Sequence, residues 1–192
     1  MSESEETFYT ADRWQNWLDR VGEEDLDPEN EDSARLLLNL QDDTAIAVAK
    51  IVSAYDDDRL SEEEAIDEIA DVREIVLAEV EMDSEEKVML IDGVQTSLVC
   101  VFYSAEEYML SGAVEEGSVA EFVDAAAAAE ADDDVDAALG YLVQAGTKII
   151  DGEELPMDAV EDLEYGLVSE WVNGLDSLQS AMADPEVVEE DE

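Results

Sequence analysis

The chain has 192 residues, of which 56 are Asp or Glu and 8 are Lys or Arg, with no histidine, for a formal net charge of −48. The missing imidazole excludes Ser-His-Asp and Cys-His centres, Glu-x-x-His di-iron bundles and His-ligated zinc. The single cysteine, Cys100, excludes an intrachain disulfide and any thiolate zinc or iron–sulfur centre.

Hydrophobic residues make up 46% of the chain, too many for a chain that stays unfolded through low hydrophobicity. So large a like charge destabilises a compact state in dilute salt. At molar salt the Debye length falls to about 3 Å and most of that repulsion is screened. The acid excess therefore reads as the hydrated surface of a folded, halophile-adapted protein, in preference to a disordered acidic chain or a nucleic-acid mimic. The acidic start, Met1 to Glu6, lacks the basic and apolar regions of a signal peptide. The longest uncharged stretch, residues 93–105, is too short to span a bilayer. A cytoplasmic protein with no membrane association and no nucleic-acid partner is expected.

In chain order the periodicity is helical almost throughout. Residues 1–9 are expected as an acidic tail, 10–184 as one all-α domain and 185–192 as a second acidic tail. The first helix runs from a Thr10 cap to Val21, with Trp14, Trp17, Leu18 and Val21 on one stripe. An acidic loop containing Pro28 follows. The second helix is expected from Ser33 to Tyr55, and Asp56-Asp57-Asp58-Arg59 forms the turn. Ser61-Glu62-Glu63-Glu64 is a capping box opening the third helix, whose stripe is Ile66, Ile69, Val72, Val76 and Val80.

Asp83-Ser84-Glu85-Glu86 offers another capping box for a fourth helix reaching Leu110. This is the most apolar segment, and it is expected to be the central helix of a bundle of about seven. Cys100, inside Leu98-Val99-Cys100-Val101-Phe102, reads as a buried, inert thiol. After Gly112 and Gly117 a shorter helix spans Ser118 to Ala131 and contains five consecutive alanines. Asp132-Asp133-Asp134 caps the sixth helix, with Val135, Ala138, Leu139, Leu142, Gly146 and Ile149 on its stripe. A single long last helix is expected from Pro156 to Pro185. The Lys50–Ile66 and Lys148–Val160 segments look alike, through either duplication or a shared turn grammar.

Carboxylate chemistry is what the composition leaves open. Glu63-Glu64-Ala65-Ile66-Asp67 and Glu130-Ala131-Asp132-Asp133 approach the acid spacing of all-helical Mg²⁺-dependent nucleotide pyrophosphohydrolases. With 56 acids in 192 positions, however, any fixed two-acid spacing recurs by chance about 16 times. Asp56-Asp57-Asp58 fails as a calcium loop, since Ser61, Glu63 and Asp67 occupy the sixth, eighth and twelfth positions. No catalytic, cofactor-binding or metal-ligating residue is assigned. Trp14 and Trp17 either anchor the first helix to the core or form a docking face. Trp171, with Leu175 one turn on and Gly166 and Gly174 on either side, has the composition of an interface hot spot. Trp14, Trp17, Trp171 and Leu175 are the candidate interface residues, facing a protein partner or a second copy of the chain.

The segments Phe8 to Arg20, Ala34 to Asp43 and Asp92 to Phe102 resemble an uncharacterised haloarchaeal family, domain of unknown function 2150, over most of the chain. The resemblance implies a halophilic archaeal source and a cytoplasmic protein, and transfers no catalytic residue. The expected function is a non-catalytic interaction, adaptor or regulatory module, with the Mg²⁺-dependent enzyme as the alternative.

Overall fold

Nearly every helix starts where a polar side chain can take up an orphaned amide. The computed structural model describes residues 8–24 and 29–183. Among them eight helices and no strand occur: α1 (Ala11–Glu23), α2 (Glu31–Asp56), α3 (Glu62–Val76), α4 (Glu85–Ser111), α5 (Val119–Ala131), α6 (Val135–Ile150), α7 (Met157–Glu161) and α8 (Leu167–Ala183). Thr10, Asn30, Ser84 and Asp134 each accept a bond from an amide two or three residues ahead. Ser61 with Glu64 and Ser118 with Glu121 form complete, reciprocal capping boxes. The box expected at Asp83–Glu86 does not form. Ser84 is the cap, so the returning position belongs to Lys87, whose ammonium instead donates to the Gly22 carbonyl at 2.7 Å.

The helix ends share one device. At α2, α5 and α6 a residue with positive φ (Asp58 at 59°, Asp133 at 62°, Gly152 at 112°) reverses the chain. The next amide then bonds back five residues: Arg59 to Ala54, Asp134 to Ala129 and Glu153 to Lys148. α5 lies outside both look-alike segments and ends the same way, so this turn is not particular to those two segments.

α4 and α8 pack on each other at the centre, with α2 and α6 on either flank and each touching both. α3 lies against α2 and α4, α5 against α6 and α8, and α1 against α2 and α3. Ile91, Leu98, Val101 and Phe102 of α4 are fully buried beside Leu40 and Ile51 of α2, Leu142 of α6, and Leu175 and Leu178 of α8. Burying each such side chain contributes about 1.5–3 kcal/mol. By length and composition α4 could cross a membrane, but here its apolar residues make the core of the bundle. The all-α fold with α4 central matches the expectation.

The continuous last helix does not exist. Pro156 is the N-cap of the short α7 rather than a residue inside a long helix, and the chain breaks between Asp162 and Gly166 before α8. A glycine within the helix would cost about 1 kcal/mol, whereas at the break Gly166 lets the Glu130 carboxylate approach. Val80 likewise falls beyond α3, in the connector, though it still packs on the core. At the N-terminal side, Tyr9 is buried and Phe8 packs partly against the core. Residues 1–7, most of the acidic loop with Pro28, and the tail from 184 onward lie outside the described residues.

Candidate interaction surface

Three of the four candidate interface residues are spent inside the chain. Trp14, Trp171 and Leu175 are all buried in the main core cluster. Trp17 is half-buried, and its indole N–H donates to Asp43 Oδ2 at 2.9 Å. The side chain of Asp43 is fully buried, and Arg13 grips both of its oxygens, Nε reaching Oδ2 at 2.7 Å and Nη2 reaching Oδ1. Arg20 stacks over the Trp17 ring at 4.7 Å. This fork-on-carboxylate geometry fastens α1 to α2. The partner of Gly174 is also internal: a β-carbon there would run into the backbone of Ser97 on α4.

The acids that could have held Mg²⁺ have other work. Glu64 closes the capping box on Ser61. Glu130 reaches across from α5 to accept from the Val168 amide at 2.7 Å, capping α8. Glu63 and Asp67 are exposed. In the Asp56–Asp58 turn, Asp56 accepts from the Tyr108 hydroxyl at 3.2 Å. Burial pushes the Tyr108 phenol up to about 12, with the neighbouring Asp56 charge adding to it. Among the described residues no three carboxylates or thiols are placed to hold a metal ion. Cys100 is buried, and burial pushes its thiol up to about 12.

Two of the recesses among the described residues bear on function. One, of about 840 Å³, lies between the end of α1 and the α3–α4 connector, and its walls are mainly polar, including Asp19, Glu79, Glu81 and Lys87. The other, of about 470 Å³, runs between α4 and α6 and has an apolar floor of Tyr103, Leu110, Leu139 and Val143. Leu110 is 59% exposed and Tyr103 42%. Arg73 of α3 organises one rim, pairing with Glu106 at 2.6 Å while lying 5.8 Å from the Tyr103 ring centre. The remaining acids of the groove are Glu107 and Asp136.

Reasoning from the sequence did not single out this groove. The signal was present in α4, where Tyr103 and Leu110 stand seven residues apart on a face that the buried stripe does not use. In α6, Leu139 and Val143 make a matching pair four residues apart.

A family model described as an uncharacterized protein conserved in archaea matches residues 7–191. The chain belongs to this family, domain of unknown function 2150. Since the match spans every helix described here, the four central helices and the α4–α6 groove lie within the part of the chain that defines membership. No curated protein and no solved structure matches the chain.

Proposed function

We propose that this member of the family is a non-catalytic, cytoplasmic partner-binding module, adapted to salt, that works through the groove between α4 and α6. The observation that carries the reading is an apolar floor in which Tyr103 and Leu110 are exposed beside the half-buried Leu139 and Val143, on two helices packed into the core. Other large apolar side chains are exposed as well, Leu38 and Met89 among them. Tyr103 and Leu110, however, line one recess together, and apolar residues gathered in this way mark an interaction site. The absence of histidine and of a second cysteine removes imidazole-based and multi-thiolate chemistry from the alternatives.

The test is a photo-crosslinking residue placed at Leu110, with a control at Leu38, which is also exposed but lies on α2. Illuminated in its own cells and recovered in high salt, the Leu110 derivative should yield a discrete adduct that the Leu38 derivative does not. Recovery of monomer alone from both sites overturns the reading.

A further inference from the structure

We infer that the α4–α6 groove receives an amphipathic helix of another protein, one whose apolar stripe is bordered by Lys or Arg. The inference rests on the partner-binding reading above and names the partner's chemistry. Its first support is the way this chain treats its other grooves. α3, with the buried stripe Ile69, Val72 and Val76, covers the seam between α2 and α4. α5, with Val119, Val123 and Ala126, covers the seam between α6 and α8. Among the described residues the helix that packs on both α4 and α6 is α8, which does so from the core side, and at the outer seam Tyr103 and Leu110 remain exposed.

The dimensions suit a helix. On α4 the lining runs from Tyr103 to Leu110, and on α6 from Asp136 to Gln144, about two turns or 11 Å along each axis. That length accepts anchors at i, i+3 or i+4, and i+7 of an incoming helix, the spacing used when helices bind in grooves. At Gly140 a β-carbon would meet nothing within 4 Å, so an incoming side chain has room between Leu139 and Val143.

Charge selects the occupant. Glu106 is paired with Arg73, but among the described residues Glu107 and Asp136 have no ion-pair partner. They stand on opposite walls and favour a cation on either border of the incoming stripe. The chain's own C-terminal segment, Asp184 to Glu192, carries six acids and no base. A second copy docking symmetrically would set Glu107 and Asp136 against their own counterparts. Both occupants are therefore disfavoured relative to a basic helix.

The experiment uses the full chain and two labelled 18-residue helical peptides with the same Leu stripe, one flanked by Lys and the other by Glu, read by fluorescence anisotropy. The Lys-flanked peptide should bind at least tenfold more tightly at about 0.15 M KCl, and the gap should narrow at about 2 M KCl as the charges are screened. Gly140→Trp, which fills the recess, and Leu110→Glu, at an exposed position, should each weaken that peptide tenfold or more while leaving the helical spectrum intact. Glu107→Gln with Asp136→Asn should reduce the preference for Lys and spare the apolar contribution. Equal binding of both peptides, or binding indifferent to Gly140→Trp and Leu110→Glu, overturns the inference. So does a dimer in light scattering that Gly140→Trp dissolves. If the peptides fail while Leu110 still crosslinks to a protein, partner binding stands and the basic helix falls.

Discussion

Gly174 of α8 faces the backbone carbonyl of Ser97 on α4, and a methyl group in place of its hydrogen would overlap that oxygen. A backbone cannot swing aside as a side chain can. Gly174→Ala should therefore separate the two central helices and cost about 1–3 kcal/mol. Gly93→Ala supplies the contrast, since its β-carbon would meet nothing within 4 Å, and it should gain about 0.5–1 kcal/mol from helix propensity. Urea unfolding of both variants measures the difference. Equal effects would mean that the crossing is looser than described.

The attachment of α1 depends on Arg13. Its side chain is 46% exposed, while the Asp43 side chain that it grips is wholly buried. Among the described residues, Arg13→Ala leaves that charge with the Trp17 indole as its donor. The loss should be about 3 kcal/mol, at the low end for breaking a buried pair because one member already meets water. Intrinsic tryptophan fluorescence should report early release of α1, ahead of the main transition.

Much of this architecture could be read directly from residues. Ser61-x-x-Glu64 announced α3 because both of its bonds are local, and the apolar density of 88–109 announced a core helix. Properties that depend on distant residues were hidden. The break before α8 follows from Glu130 approaching Gly166, and Asp43 became significant only when α1 folded over it. Trp171 looked like a partner's target because composition cannot distinguish burial within a chain from burial between chains. The α4–α6 groove was missed for a related reason: its floor comes from two helices, each of which alone shows only a few extra apolar residues.

Acidity should act through Asp42, whose carboxyl is raised above its ordinary value of 3.8 mainly by burial, with the Ser177 bond opposing and Asp176 adding to the rise. A carboxyl raised in the folded state favours folding while it is protonated, and that contribution is lost as pH climbs through the folded value. Asp42→Asn should therefore match the parent near pH 3 and become the more stable of the two toward pH 7. Denaturation midpoints across that range check the sign.

Cys100 should behave as a sentinel of global opening. With its thiol buried and pushed up to about 12, almost no thiolate is available to a reagent at pH 8. Labelling by an aromatic disulfide should be slower than that of a free thiol by orders of magnitude, and should accelerate in step with unfolding by denaturant. Prompt labelling of the native chain would contradict its placement on α4.

Ionic strength should govern stability. With a net charge of −48, repulsion reaches about 30 Å at 0.01 M salt but only about 3 Å at 1 M. The melting temperature should rise steeply between those conditions, and neutral osmolytes at matched osmolarity should not reproduce the whole rise. A midpoint independent of KCl would leave the carboxylate coat without a physical role.

The acids are not interchangeable. Glu130 seats the start of α8, and Glu153 accepts from the Val119 amide at the start of α5. Anyone recoding the chain for fresh-water expression by trading carboxylates for lysine could change exposed positions such as Glu63 or Asp67 freely. The same trade at Glu130 or Glu153 would unlatch a helix from a distance, so a uniform recoding would ruin a protein that a selective one would preserve.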